Sequence, residues 1–305
     1  MNIAILSNGN GNYTTKRLRE EAINRGHQVR IIKYRECYAL IEQNKPAVHY
    51  RGEVLPRFDA IIPRIGSSYT DYGSAIVRQF EMRGVFTTAS SIAIVRSRDK
   101  LRSFQLLARA GVDIPKTIFA RDIVKVEDLM DELGGAPLII KMSRGTHGNG
   151  VILAETKKAA KSVIQALYVA SGGGGSNVFM QEYVRESSGT DIRAFVVDGR
   201  VVASMKRKSL DEDFRSNIHQ GGEGEKVVLS KEERKVVLSA SKAMGLAICG
   251  VDFMRSDRGP LILEVNSSPG TAIEQITGRN VVAPIIDYVE KYALRGKKKK
   301  DRVGA

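Results

Sequence analysis

The sequence predicts a composite of two classes: an α/β segment with a parallel sheet, followed by α+β lobes made of hairpins with covering helices. Three observations carry this. The first ninety or so residues alternate short apolar runs with helical patterns. From Pro137 onward, strand-like runs come in pairs joined by turns rich in glycine. The chain has 305 residues, 42% of them hydrophobic, enough for about two domains with a substantial core.

Each element has its own warrant. Residues 3–6 form an apolar run, read as a buried strand. The 15–24 stretch places Leu18, Ala22 and Ile23 on one helical face, with Gly26 as its stop. Residues 29–34 and 58–62 are further strands. A helix over 72–83 carries Ile76, Val77 and Phe80 and ends at Gly84. Gly9 and Gly11 follow the first strand, but Tyr13-Thr14 stands where a dinucleotide fingerprint needs its third glycine, so that motif is rejected. Residues 99–110 form another helix, stopped by Gly111. The texture then changes. Strands at 137–141 and 151–154 flank a glycine-rich turn, and Thr156 caps a helix reaching about residue 170. After the loop at 171–176 come strands at 177–184 and 191–197, and Asp198-Gly199 turns the chain into a strand over 201–206. Ser230 and Glu233 form a capping box for a helix to about Met244. Strands at 250–255 and 261–266 flank a turn at 256–259, and a last helix spans 283–294. No internal repeat is found.

Composition excludes several classes. No apolar run approaches the ~20 residues of a membrane span. Two cysteines, Cys37 and Cys249, exclude a disulfide scaffold or a cysteine-rich zinc site. The opening MNIAILSNGN lacks the layout of a secretion signal, so a cytoplasmic enzyme with no membrane partner is expected. Formal net charge is +14, and residues 291–305 hold seven basic side chains against Asp301. That tail, 295–305, reads as a solvated end, or alternatively as an attraction for an anionic partner such as RNA, a ribosome or an acidic product.

The informative constellation is Asp252, Glu264 and Asn266. Glu264 and Asn266 are two apart on a strand and share a face; a turn centred near Arg258 puts Asp252 opposite Glu264. Carboxylates that close repel unless a hard cation lies between them, and a donor set without histidine or cysteine favours Mg²⁺ sharing phosphate and water ligands. The bland alternative is an acidic, solvent-facing strand side.

Lys141 ends an apolar strand just before Gly145, Gly148 and Gly150. Such a turn lets backbone N–H groups approach an anion, although alone it is more often a plain hairpin. No Walker loop is present. Lys100 reads as a second phosphate lysine or as a solvated first helical turn. Arg193, Arg207, Arg215 and Asn217 offer guanidinium and amide donors to a phosphoanhydride or a tetrahedral oxyanion; singly, each reads as a surface group.

In order along the chain, Pro63-Arg64-Ile65-Gly66, Arg98-Asp99-Lys100, Gly134-Gly135-Ala136-Pro137 with Lys141, the glycine turn to Val151, Gln181-Glu182-Tyr183, Asp191-Ile192-Arg193, Asp213-Phe214-Arg215-Ser216-Asn217, Gly250-Val251-Asp252 and the run from Glu264 to Gly270 resemble the ATP-grasp superfamily. More narrowly, they resemble the RimK family of ribosomal-protein glutamate ligases. The resemblance implies an ATP-grasp fold with a pre-ATP-grasp domain at 1–95, a central lobe with its flap at 96–184 and a C-terminal metal lobe at 185–294. It places Lys100 and Lys141, with the flap glycines 145, 148 and 150, on ATP. It puts Glu182 and Tyr183 at the adenine hinge, Asp191 on the ribose, and Arg215, Ser216 and Asn217 on phosphate. Asp252, Glu264 and Asn266 would hold two Mg²⁺ ions, with Mn²⁺ as a substitute. Arg193, Arg207 and Arg215 would serve the chemistry.

That chemistry is activation of a carboxylate as an acyl phosphate, then attack by an amine. The implied partners are glutamate, the C-terminus of the sixth small-subunit ribosomal protein or a growing α-linked polyglutamate chain, a ribosome contact and a homotetramer. Ser143-Arg144, the 172–176 loop and the Lys297–Lys300 run depart from the pattern expected of the family and leave the acceptor open. Two alternatives stand. One is a related ligase acting on a carrier protein, cofactor or dipeptide; the other is a basic RNA- or ribosome-binding protein that holds ATP without turnover. His49, His147 and His219 receive no role.

Overall fold

The computed structural model describes residues 1–9, 11–121, 126–142, 150–170, 177–209 and 223–294. The N-terminal part alternates β1 (Asn2–Leu6), α1 (Tyr13–Asn24), β2 (Gln28–Ile32), β3 (Cys37–Leu40), β4 (Ala47–Tyr50), β5 (Glu53–Val54), β6 (Ala60–Pro63), α2 (Thr70–Met82) and β7 (Phe86–Thr87). The expected parallel sheet is there, in the order β2-β1-β6-β7, with Leu6 opposite Pro63. Ile3, Ala4, Ile5 and Leu6 are all fully buried, because a central strand covered on both faces has no solvent side. The antiparallel β3-β4-β5 unit was not expected. Its sequence lacks strict alternation, and Arg51-Gly52 turns the chain with positive φ at both residues.

The helix expected over 99–110 is α4 (Lys100–Arg109); a further helix that was not expected, α3 (Ser91–Arg98), precedes it. They break at Asp99, whose extended backbone and side chain cap α4 by accepting from Arg102 N at 3.0 Å. The central lobe follows: β8 (Thr117–Ala120), α5 (Val126–Glu132), β9 (Leu138–Met142), β10 (Val151–Ala154), α6 (Lys157–Ala170) and β11 (Val178–Glu182). Its sheet is antiparallel, ordered β10-β9-β11-β8. The C-terminal lobe holds β12 (Thr190–Val197), β13 (Arg200–Lys208), β14 (Glu223–Lys226), α7 (Lys231–Met244), β15 (Ile248–Ser256), β16 (Gly259–Asn266), α8 (Ile273–Thr277) and α9 (Val282–Ala293). Its sheet runs β14-β13-β12-β15-β16, all antiparallel. The Ser230/Glu233 capping box forms as the sequence implies, and Gly245 closes α7 in the left-handed region.

Packing divides these pieces unevenly. Two apolar clusters fuse the parallel sheet to the C-terminal lobe. One joins Ile76, Phe80, Ile94 and Leu107 to Val237, Met244, Val251 and Phe253; the other joins Ile3, Ile5 and Leu18 to Phe195, Ile285 and Val289. The central lobe has a separate core of Met130, Leu138, Ile140, Ala160, Ile164 and Met180. A base and a separately cored lobe therefore face each other across a cleft.

Candidate active site

The C-terminal sheet builds the site by register. Asp252 on β15 lies between Glu264 on β16 and Arg193 on β12, so three charged side chains stand in one row across adjacent strands. Asn266, two residues on from Glu264, shares its face and donates from Nδ2 to Glu264 Oε1 at 2.8 Å. A side chain at Gly250, opposite Asn266, would meet Pro269 Cβ at 3.1 Å and Arg193 Nε at 3.8 Å, so a Cβ there would press on Pro269.

Asp252 is 2% exposed and bound on both oxygens. Arg193 donates to it from Nε at 2.7 Å and from Nη2 at 2.5 Å; Arg207 donates from Nη2 at 2.9 Å. Arg207 also grips Asp191, directly across β12–β13, with Nε at 2.6 Å and Nη2 at 2.5 Å. Burial alone would raise the Asp252 carboxyl, but the two guanidiniums outweigh it and hold it well below the usual carboxylate range. Burial alone would lower Arg207; the Asp252 and Asp191 carboxylates reverse that and raise it. The four groups form an alternating lattice in which every charge has a counter-charge.

Glu264 differs. Its side chain keeps 55% of its surface open and meets Arg193 only at 3.7 Å. Burial of the carboxyl among surrounding protein, and then the Asp252 carboxylate, push it above the usual range. A group open to water yet crowded by protein is what a cleft floor presents. Two abutting carboxylates, one of them favouring its proton, with an amide alongside, fit a hard divalent cation, which would replace that proton and remove the repulsion.

Opposite this floor stands a cationic wall. Lys141 on β9 donates to Gln181 Oε1 at 2.7 Å, and Gln181 Nε2 donates to Thr117 Oγ1 at 2.8 Å, which fixes the lysine from behind. Burial, and then repulsion by Lys100, lower the Lys141 amine to about 8, against the pull of Glu264. Burial lowers Lys100 as well, again opposed by Glu264. Lys100, Lys141 and Glu264 therefore share one electrostatic neighbourhood, although they come from three different elements.

Glu182 and Tyr183, at the end of β11, are both tied by side-chain hydrogen bonds. Glu182 Oε1 accepts from Lys116 N at 2.6 Å and from Arg258 Nη2 at 2.6 Å, so the β15–β16 turn holds the end of β11. Tyr183 donates to Ser188 Oγ at 2.5 Å.

The structure brings together Asp252, Glu264 and Asn266, as their spacing implies. It brings Lys100 and Lys141 to the same carboxylate. Arg193 and Arg207, expected to face developing negative charge, instead clamp Asp252 and Asp191, because each lies one strand from its carboxylate. Asp191, expected on a ribose, gives both oxygens to Arg207 and is 8% exposed. Gly145, Gly148, Arg215, Ser216 and Asn217 lie outside the described residues, as do Ser143, Arg144, the 172–176 loop and the lysine tail. The clamp was not legible from the turn alone: Asp198-Gly199 closes Val197 on Arg200, a register that would set Asp191 opposite Lys206, and a bulge between Phe195 and Val196 shifts Arg207 into that place. Gln181 as the anchor of Lys141 needed the β9–β11 register, which no turn in the sequence announces.

A family model described as the RimK-like ATP-grasp domain matches residues 97–289, and one described as the RimK PreATP-grasp domain matches residues 1–94. The chain belongs to the RimK family. This RimK-family chain is an ATP-grasp ligase. It is 53% identical over 294 residues to a "probable alpha-L-glutamate ligase" of Shewanella loihica, covering 96% of each chain. It is 52% identical to the protein of that name from Teredinibacter turnerae, again over 96% of each. Among solved structures, the ATP-grasp ligase PsnB with its minimal precursor superposes with a TM-score of 0.73 at 21% identity, covering 95% of this chain and 97% of that one. D-alanine–D-alanine ligase from Bacillus anthracis with ATP gives 0.66 at 20% identity, covering 97% and 98%. At these identities the superpositions establish the ATP-grasp fold. Among the described residues, no helix is long and apolar enough to cross a membrane.

Proposed function

We propose that this RimK-family ligase joins L-glutamate through its amine to a carboxyl group, using ATP and releasing ADP and phosphate. The acceptor we favour is the C-terminus of a protein, with the sixth small-subunit ribosomal protein and a growing poly-α-glutamate chain as candidates. The curated relatives' names support glutamate. The observation that carries the chemistry is the pairing of a neutralised Asp252 with an unneutralised Glu264 on the cleft floor, facing Lys141 and Lys100.

The residues divide the work as follows. Lys100 and Lys141 receive the phosphates; their amines are held at lowered proton affinity until an anion arrives. Glu182 and Tyr183 line the hinge beside the purine. Asp252, Glu264 and Asn266 would hold Mg²⁺, with Mn²⁺ as a substitute; the bound metal would supply charge neutralisation between phosphate oxygens. Arg193 and Arg207 act as positioning residues: they keep Asp252 ionised and fixed, and they hold Asp191 in the same plane. The acceptor carboxylate attacks the γ-phosphorus and ADP leaves; the glutamate amine then displaces phosphate from the acyl phosphate and loses its proton. The cleft excludes water that would hydrolyse the activated acyl group. Arg215, Ser216, Asn217 and the flap glycines 145 and 148 belong to this reading as further phosphate contacts. The proposed boundaries remain 1–95, 96–184 and 185–294, with a homotetramer as the assembly.

The test is ADP release with ATP, Mg²⁺ and single amino acids, with products read by mass spectrometry with and without the ribosomal protein. Glutamate-dependent ADP release and a mass increase of one or more glutamyl residues are expected. ADP release driven by another amino acid, or none by any, would refute the assignment. Intact turnover in Glu264→Ala would refute the site.

A further inference from the structure

The parallel sheet has its topological switch between β1 and β6, since the chain leaves β1 toward β2 on one side and returns to β6 on the other. Ligands of open α/β sheets bind in the crevice beyond the carboxyl ends of such strands. Here the first residue past β6 is Arg64, whose N–H donates to Leu6 O at 2.8 Å, so it sits at the mouth of that crevice. Arg98, at the end of α3, lies beside it. Its Nη2 donates to Ile65 O at 3.0 Å, while its Nε is buried without a partner. Ile65 is itself pinned, since a side chain at Gly73 on α2 would come within 2.5 Å of Ile65 Cγ2.

What sets this pair apart is the missing acid. Arg25 has Glu21, Asp287 and Glu290; Arg193 and Arg207 have Asp252 and Asp191. Among the described residues, no carboxylate forms an ion pair with Arg64 or Arg98. Burial pushes both guanidiniums down, Arg64 to about 10 with Arg98 adding repulsion. Arg98 is offset only by Glu264 and by Tyr34. Two crowded like charges without counter-ions are unfavourable unless an anion completes them. Arg64 itself lines a small cavity of about 20 Å³ with Thr14, Thr88 and Ser267 and with apolar side chains such as Ile62 and Phe195, and the Ser267 hydroxyl is buried without a partner. Ser267 directly follows Asn266, so the cavity adjoins the end of β16 that carries Asn266.

We propose that Arg64 and Arg98 form the subsite that holds a non-reacting carboxylate of the free amino-acid substrate. This rests on the ligase reading and names how the acidic substrate is recognised. An amino acid that attacks through its amine must leave its own carboxylates unreacted, and a planar fork of guanidinium donors holds a carboxylate in a fixed orientation. Lys141, on the central lobe, and Lys100, at the start of α4, remain for phosphate.

The test uses the full chain with Arg64→Gln and Arg98→Gln. Binding of glutamate, of glutarate and of glutamine is measured by calorimetry, separately from binding of Mg-ATP and from ADP release. Expected are saturable binding of glutamate to the wild type, a loss of at least 30-fold in its affinity and a matching rise in its KM in each variant, nucleotide affinity within threefold, and melting temperatures unchanged or higher. Unchanged glutamate affinity and KM would overturn the proposal. So would a change confined to nucleotide affinity, which would give the pair to phosphate, or a fall in melting temperature with unaltered KM, which would make it structural. Should glutamate bind through these arginines while no amino acid drives ADP release, the subsite stands and the ligase reading falls.

Discussion

Lys141 is held as a cation against the preference of its surroundings, and that has a measurable consequence. Its amine falls from 10.5 to about 8, burial being the first cause. At about 1.4 kcal/mol per tenfold change in proton affinity, keeping it charged in the ligand-free protein at pH 7 costs about 3 kcal/mol. Below pH 8 folded and unfolded chains both carry the proton, and this group adds no slope. Between about 8 and 10.5 the unfolded chain binds more protons than the folded one, so stability rises with pH. Lys141→Met removes the titrating group; the loss of its bond to Gln181 adds only a pH-independent offset. Urea unfolding of both proteins from pH 7 to 10.5, without nucleotide, should therefore show the wild type gaining about 3 kcal/mol relative to the variant. Phosphate favours the charged amine, so ATP binding at pH 9 should take up a proton in the wild type and not in the variant, as read by calorimetry in buffers of different ionisation heat. A stability difference flat across that range would refute the buried, anion-seeking lysine.

Asp252→Ala should destabilise by about 3–5 kcal/mol in urea unfolding, because it leaves Arg193 and Arg207 without their counter-charge. Glu264→Gln should change stability by less than about 1 kcal/mol, since Glu264 is half open to water, yet abolish ADP release in a coupled assay. Gly73→Ala should lower stability by about 1–3 kcal/mol, because the new Cβ lands 2.5 Å from Ile65 Cγ2. Burial raises both Cys37 and Cys249 to about 12, so neither thiol should react with an alkylating reagent at pH 8 until the chain is unfolded, as peptide mass mapping would show.

The parallel sheet was legible because its strands are continuous apolar runs; the row of Asp252 and Glu264 was legible in part, because the turn near Arg258 sets Ser256 opposite Gly259 and a bulge between Asp252 and Phe253 completes the register. Register through a hairpin depends on local turn chemistry, which a sequence displays openly. Contacts between elements that no turn connects were not legible. The nearness of Lys141 to Lys100 and Glu264 depends on how the central lobe meets the base, and α3 was not expected because its apolar residues form no helical stripe. Arg193, Arg207 and Asp191 were read for a ligand, and the structure gives each an internal partner as well. Those partners rest on the bulge in β12 and on the β12–β15 pairing, neither of which a turn announces.

Phe179 is the one described side chain of β8–β11 that enters the larger apolar cluster, where it meets Phe104 edge-on at 6.4 Å between centroids. The central lobe thus leans on the base through this aromatic contact, while its own core is complete without it. Parting of the two would expose little oily surface, so amide hydrogens of β9 and β10 should exchange with deuterium before those of β12 and β15, and Arg258→Ala, which removes the bond to Glu182, should hasten that exchange.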